Sequence, residues 1–158
     1  MKHTLLAICS LLGATLLVVG CGTRAVASPG DSPTQQPVIV SHGGPVKDYV
    51  SFIDTLRAAG ATVEPTGEVE QPFFTVTGQT ITVNAADVQV FEFADEAAAQ
   101  AAASTVGPDG SSFKTTMVTW IDAPHFFRTG RIIVLYIGQD AELLKLLTSI
   151  LGPQFAGQ

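Results

Sequence analysis

The sequence predicts an α+β domain in which helices pack on one face of an antiparallel sheet. Short runs rich in β-branched and aromatic residues, separated by glycine, proline and asparagine, predict strands in the middle of the chain. Stretches whose apolar residues lie three and four positions apart predict helices before, between and after these strands. Together they give the order helix, several strands, helix, two strands, helix.

The first helix is predicted from Pro45, which is acceptable in a first turn, to the residue before Gly60, which is placed to end it. Its apolar residues recur at helical spacing: Val46, Tyr49, Val50, Ile53 and Leu56. Strand patterns follow at 62–64, 68–71, 73–76, 80–83 and 88–93, with turn residues between them.

The second half of the domain begins with a helix that Asp95 can cap and that runs to about residue 105. Its many alanines favour the helix and permit close packing on a sheet. Strands are predicted at 115–121 and 131–137. The Ile-Ile-Val-Leu run in the second of these suits a central strand that is buried on both faces.

Asp140 can cap the last helix, 141–151, and Gly152-Pro153 closes it. Its apolar residues wrap more than half of the helix surface: Leu143, Leu144, Leu146, Leu147, Ile150 and Leu151. One stripe is expected to pack on the sheet. The surplus is expected to pack either on the C-terminal Gln154-Phe155 tail or on a second protomer, which leaves a homodimer as an alternative.

The strands at 88–93, 115–121 and 131–137 and the two later helices form a βαββα string. This string is similar to part of a ferredoxin-like fold, in which helices cover one face of an antiparallel sheet. The likeness concerns the fold and implies no function.

Residues 1–20 are typical of an export signal. Lys2 gives it a positive start, residues 5–19 form a short apolar stretch, and Val18-Val19-Gly20 stand directly before Cys21. This run resembles the lipobox of bacterial lipoproteins, in which the cysteine is diacylated and the leader is removed. The resemblance implies that Cys21 is lipidated and that the protein is anchored in the cell envelope, on the extracytoplasmic side of a bacterial membrane.

Two other interpretations of the leader stay open. Ala25-Val26-Ala27 suits an ordinary secretory cleavage site. The apolar stretch is slightly short for a retained membrane helix, which needs about 20 residues. The lipobox interpretation is favoured because it explains why the one cysteine outside the apolar stretch stands at position 21.

Residues 21–44 are predicted to be the lipidated cysteine followed by a flexible tether, because glycine, serine, proline, threonine and glutamine predominate. One apolar island, Val38-Ile39-Val40, is a candidate edge strand that docks on the domain. Residues 45–158 are predicted to form one folded domain.

Loss of the leader leaves seven basic and fourteen acidic side chains, a net charge of −7 with histidine neutral. Such a chain is a poor candidate for nucleic acid, because that affinity depends on clustered basic residues. The expected partners are the membrane, through the lipid anchor, and another envelope protein or a small ligand. No cofactor is expected.

The segment 120–131 combines aromatic, imidazole, carboxylate and guanidinium side chains in a predicted connection between strands, where binding sites commonly lie. Phe73-Phe74 are candidates to join it. The candidate binding surface comprises Phe73, Phe74, Trp120, Asp122, His125, Phe126, Phe127 and Arg128. The alternative is structural: one of the two phenylalanines 126 and 127 fills the end of the core while Arg128 pairs with Asp122.

No motif for catalysis or metal binding is recognised. His125 is a candidate general base, but the mature chain has one other histidine, His42, in the predicted tether. No His, Cys, Asp and Glu set has metal-ligand spacing. Glu68 and Glu70 are expected on a solvated strand face. No catalytic or metal-ligating residue is therefore assigned.

Several distinctive strings occur after residue 70: Pro72-Phe73-Phe74, Val90-Phe91-Glu92-Phe93, Ala123-Pro124-His125-Phe126-Phe127 and Gly152-Pro153-Gln154-Phe155. Through them the stretch from about residue 71 to 158 resembles small exported bacterial proteins that have no established activity. The resemblance therefore implies no functional residues.

Three functions are compatible with these observations. The leading hypothesis is a non-enzymatic binding or interaction domain anchored to the membrane. The second is a cell-envelope enzyme or enzyme accessory with a site around His125. The third is a periplasmic small-ligand carrier, which requires a pocket of roughly 300 Å³ or more lined by the phenylalanines.

Overall fold

The computed structural model describes residues 44–157. The predicted leader, Cys21, the tether and the candidate strand at 38–40 lie outside the described residues. Within the described residues the elements are α1 (Tyr49–Ala58), β1 (Val63–Val69), β2 (Gly78–Val83), β3 (Ala86–Glu92), α2 (Glu96–Ala103), β4 (Ser112–Phe113), β5 (Thr116–Met117), β6 (Pro124–Thr129), β7 (Ile132–Ile137), α3 (Ala141–Leu151) and β8 (Ala156–Gly157).

Within residues 44–157 the main sheet is antiparallel and has six strands in the order β1-β2-β3-β7-β6-β8. Strands β4 and β5 form a separate hairpin. Strand β7 lies between β3 and β6, so α2 carries the chain from β3 past β7 to β6. This arrangement is the split βαβ unit of ferredoxin-like folds. The prediction of an α+β fold is confirmed.

The helices do not share one face of the sheet, and this part of the prediction is wrong. Helices α1 and α3 cover one face, whereas α2 covers the other face. The reason lies in β7, whose residues are apolar on both sides of the strand. A strand that is buried on both faces needs a covering layer on each of them.

The two faces carry different cores. The aliphatic core, between the sheet and helices α1 and α3, contains Val46, Phe52, Ile53, Leu56, Ala61, Val63, Ile81, Val83, Val88, Val90, Phe127, Ile132, Val134, Tyr136, Leu143, Leu147 and Leu151. The aromatic core, under α2 and the β4–β5 hairpin, contains Phe74, Phe91, Phe93, Ala99, Ala103, Phe113, Phe126, Ile133, Leu135 and Ala156. The predicted surplus of apolar residues on α3 packs against the aliphatic core.

The helix ends follow the predicted capping residues, with one difference at the start. Asp95 caps α2 and Asp140 caps α3, as predicted. Helix α1 begins at Tyr49 rather than in the turn after Pro45, because Asp48 and Ser51 form a capping box. Gly60 follows the end of α1 with a φ of +89°, a conformation that favours glycine.

The strands differ from the prediction in the second half of the domain. The predicted strand at 115–121 is wrong, because only Thr116–Met117 pairs there. The strand of the main sheet that lies between α2 and β7 in the chain is β6, in a segment that the sequence analysis treated as a connection. Pro124 obscured it, although proline is tolerated at the first position of a strand. Among the described residues no helix is both long and apolar enough to cross a bilayer.

The predicted strand at 73–76 is also wrong. After β1 the chain forms an irregular connection to β2 across residues 70–77. This connection folds over the aromatic core, where Phe74 is buried and its ring lies 4.8 Å from the ring of Phe91. The Phe73-Phe74 pair therefore covers the sheet instead of extending it.

Candidate functional site

The predicted binding surface does not form one patch, because Phe126 and Phe127 point to opposite faces of the sheet. Successive residues of a strand alternate between its two sides. Phe126 is fully buried in the aromatic core, and Phe127 is fully buried in the aliphatic core. Both residues, and Phe74 with them, are removed from the predicted surface. The structural alternative for the phenylalanines is the correct one.

Arg128 and Asp122 do not pair with each other, so that part of the structural alternative is wrong. Arg128 lies on β6 and its Nη1 is 3.9 Å from a carboxylate oxygen of Glu96 at the start of α2. Asp122 precedes β6 and accepts a 2.7 Å hydrogen bond from the side-chain amide of Gln139. The two charged side chains belong to opposite ends of β6, which explains why they do not meet.

His125 is a buried structural residue with 5% of its surface exposed. Its Nε2 lies 3.0 Å from the backbone oxygen of Gly138, and its Nδ1 lies 2.8 Å from Oε1 of Gln154. The ring stacks on Tyr136, with ring centroids 5.9 Å apart. Both ring nitrogens therefore have hydrogen-bonding partners within the domain.

Phe73 and Trp120 are the two members of the predicted set that do lie together at the surface. Both are half-buried at the edge of the aromatic core, with ring centroids 5.9 Å apart. Phe73 stacks on Phe113 at 3.7 Å. The indole Nε1 of Trp120 donates a 2.8 Å hydrogen bond to the backbone oxygen of Gly110. These contacts fix both rings in place.

Two residues that the sequence analysis missed carry the most exposed apolar side chains of this region. Met117 is 78% exposed and Ile121 is 99% exposed. We call these two side chains the apolar ridge. Between them Val118 and Trp120 turn inward and pack against the aromatic core. The sequence contained an indication of this exposure. Apolar residues occur on both sides of an extended pattern at 117–121, so the side chains on one side are exposed to solvent unless a second layer covers them.

Three chain segments meet beside Ile121. Trp120 is bonded to the turn at 107–112 through Gly110, and the backbone oxygen of Ala123 accepts a 2.9 Å bond from the amide of Gly138. We call the segments 107–112, 120–124 and 138–142 the acidic end of the domain. They contain no lysine or arginine and carry four exposed carboxylates: Asp109, Asp122, Asp140 and Glu142.

Hydrogen bonds within the acidic end favour the charged form of two of these carboxylates. The pKa of Asp109 is lowered chiefly by the backbone amide of Ser111, and then by the hydroxyl of Ser112. The pKa of Asp122 is lowered chiefly by the amide of Gln139, and then by the backbone amide of Ala123. Both side chains are therefore anionic at neutral pH.

Two open grooves border this region. One, of about 460 Å³, adjoins the acidic end and is lined by Ser111, Val118, Thr119, Trp120, Asp122, Ala123, Pro124 and Gln139. The other, of about 300 Å³, has two phenylalanines in a mostly polar lining: Pro72, Phe73, Thr75, Thr105, Phe113, Lys114, Thr115 and Thr116. The second groove is where the carrier hypothesis would place a ligand.

No group of three histidine, cysteine, aspartate or glutamate side chains is placed to hold a metal ion within residues 44–157. Comparisons with protein-family models, with curated proteins and with solved structures find no match to this chain. The geometry of the described residues is therefore the basis for a functional proposal.

Proposed function

We propose that this protein is a membrane-anchored extracytoplasmic lipoprotein whose folded domain is a non-enzymatic interaction module, and that the apolar ridge contacts its partner. The exposure of Met117 and Ile121 carries this proposal. Complete burial of an isoleucine or methionine side chain is worth about 1.5–3 kcal/mol, so a partner that covers the ridge gains that contribution from each. Two exposed apolar side chains four residues apart offer a partner apolar surface that the domain itself leaves uncovered.

The ridge is also held on an ordered support. Trp120, between the two ridge residues, is fixed by its bond to Gly110 and by edge contacts with Phe113 and Phe126. A binding surface that is already in place loses less conformational entropy when it binds. This preorganisation favours an interaction surface over an incidental loop.

The apolar ridge lies far along the sheet from the first described residues of the domain. These residues lie beside the β6–β7 turn, where the amide of Arg131 donates a 2.9 Å bond to the backbone oxygen of Lys47. Ile121 lies beyond the other end of the same ladder, where Pro124 pairs with Ile137. Six residue pairs, about 17 Å, separate the two ends.

The anchor has its own test. A Cys21→Ser variant is expected to leave the membrane fraction, because two or more acyl chains hold a protein stably and none remains. Intact mass of the native protein should show the added acyl groups on a chain that begins at Cys21. A native protein without acyl groups would remove the anchor from the proposal and leave the ridge to be tested alone.

The ridge is tested in the full-length protein in its own membrane. A photo-crosslinking amino acid at Thr119, which is exposed between the ridge residues, should give a discrete adduct. The double variant Met117→Ser with Ile121→Ser should lose it. Val50→Ser is the matched control, because Val50 is 66% exposed on α1, which covers the opposite face. Equal adducts in both variants would contradict the proposal.

A small-ligand carrier is the alternative that one observation favours, namely the groove of about 300 Å³ beside Phe73 and Phe113. Lys114 and the surrounding threonines offer it a cation and hydroxyl groups, which suit a small anionic ligand. Native mass spectrometry of the purified protein distinguishes the two functions. A retained small molecule that Thr75→Trp displaces supports the carrier, and an unliganded mass argues against it.

A further inference from the structure

We infer that the partner of the apolar ridge is a protein surface that carries lysine or arginine residues around an apolar depression. This inference rests on the proposed function and names the chemistry of its partner. It follows from the charges that surround the ridge and from the shape of the groove beside it.

The charge around Ile121 has one sign. The three segments of the acidic end hold four of the chain's fourteen acidic side chains and none of its basic ones. Asp122 is the next residue after Ile121, so the most exposed large apolar side chain among residues 44–157 stands directly beside a carboxylate. A surface that covers Ile121 therefore lies against Asp122 and faces the acidic end. Complementary charge makes a basic surface the favoured partner.

The same charges disfavour the other occupants of an exposed apolar surface. A second copy of the chain would bring a second acidic end against the first, and like charges that face each other across an interface cost affinity. An anionic lipid surface attracts basic segments, which the acidic end does not contain.

The groove of about 460 Å³ offers a specific place for a basic side chain. Val118 and Trp120 give it apolar walls, and Asp122 stands in the same lining. Lysine and arginine bury an aliphatic stem along apolar surface while their charged head stays near an anion or water. A lysine or arginine of the partner fits this groove with its stem against the indole and its head at the carboxylate.

The experiment distinguishes the effect of the carboxylate charges on binding from any effect on the stability of the domain. The triple variant Asp109→Asn, Asp122→Asn and Asp140→Asn removes three charges but keeps the side-chain oxygens that accept the turn and capping bonds. The matched control is Glu64→Gln, Glu68→Gln and Glu70→Gln, which removes three exposed charges on and just after the edge strand β1. Thermal unfolding of both variants verifies that the domain remains folded.

The probe is a fluorescein-labelled peptide of twelve lysine and leucine residues, added to the full-length protein in nanodiscs of zwitterionic lipid. The wild type should bind it, and the Asn triple should weaken binding about tenfold, since three exposed charge pairs are lost. The Gln triple should change binding by less than about twofold. A peptide with serine in place of leucine should bind more weakly, because the ridge then has no apolar contact.

Any of four results would overturn the inference. Equal weakening by the two triples would show general attraction to an acidic protein. An unchanged affinity of the Asn triple would show that these carboxylates do not contact the partner. Concentration-dependent dimerisation that Ile121→Ser abolishes would make a second copy the occupant. If Met117→Ser with Ile121→Ser loses the photo-crosslinked adduct while the Asn triple retains it, the proposed function stands and the inference alone fails.

Discussion

The side chains of His125 and Gln154 meet in a 2.8 Å contact between Nδ1 and Oε1, which joins strand β6 to the segment before β8. The backbone completes this attachment, because Phe155 donates to Phe126 and Gly157 donates to Pro108. The C-terminal segment is thus held by one buried imidazole and by strand pairing. The tautomer of that imidazole determines whether Nδ1 donates or accepts in the contact with Gln154.

We expect the neutral form of His125 to carry its proton on Nε2. The backbone oxygen of Gly138 can only accept, so Nε2 must donate. Nδ1 of the neutral ring then accepts, and the amide of Gln154 is expected to turn its NH₂ toward it. The ¹⁵N chemical shifts of the two ring nitrogens distinguish the tautomers and check this.

Gln100 is the reference for the side-chain amide signals of Gln154, because Gln100 is exposed on α2. A neutral imidazole protonated on Nδ1 would contradict the expected donor to Gly138. It would also mean that Gln154 presents its oxygen to the ring.

Phe126→Ala and Phe127→Ala should each lower the free energy of unfolding by about 3–5 kcal/mol, because each removes a fully buried ring from one of the two cores. Urea unfolding measures the loss. Ile121→Ala should stay within about 0.5 kcal/mol of the wild type, since its side chain is exposed. A phenylalanine variant of wild-type stability that lost binding would return that residue to the interaction surface.

Gly130→Ala should destabilise the domain more than Gly60→Ala does. Both glycines have positive φ, +49° and +89°, so an alanine at either position costs about 1–2 kcal/mol in backbone strain. A side chain at Gly60 meets open space, whereas one at Gly130 runs into the backbone of Lys47. The difference between the two unfolding free energies measures the contact between the β6–β7 turn and the entering chain. Equal losses of unfolding free energy would mean that the backbone of Lys47 moves away from the new side chain without cost.

Asp48 should make the stability of the domain depend on pH in the acid range. The backbone amide of Ser51, and then its hydroxyl, lower the pKa of Asp48. Its stabilising contribution is therefore complete above the unfolded pKa of about 3.9 and is lost as pH falls through the lower folded pKa. Asp48→Asn keeps the capping oxygen but does not titrate there. Urea midpoints of the variant should fall less steeply below about pH 4, and parallel curves would contradict this role.

Local patterns in the sequence were sufficient to predict the ends of the helices and the burial of the central strand. Asp95, Asp140 and Gly60 mark helix ends through contacts with their immediate neighbours in the chain. The apolar run of β7 needs no partner to be recognised as doubly buried. The same apolar run also requires a covering layer on each face of the sheet. The prediction that all helices pack on one face was therefore inconsistent with the sequence of β7 itself.

Strand β6 and the exposed ridge depended on tertiary contacts that no local pattern specifies. His125 has a buried place in β6 because Gly138 and Gln154, 13 and 29 residues away, supply its partners. Residues 117–121 keep the apolar character of a strand, but within residues 44–157 they have no neighbouring strand to pair with beyond the short hairpin. The sequence showed apolar residues in both places, and only the fold distinguishes the buried set from the exposed set.

The separation into an aliphatic and an aromatic core gives the protein two intrinsic fluorophores in different layers. Trp120 is the single tryptophan and packs with the aromatic core, whereas both tyrosines, Tyr49 and Tyr136, belong to the aliphatic core. Emission excited at long wavelength therefore reports on the layer beside the ridge alone. If one core unfolds before the other, tryptophan and tyrosine fluorescence would change in two separate transitions, without any added label.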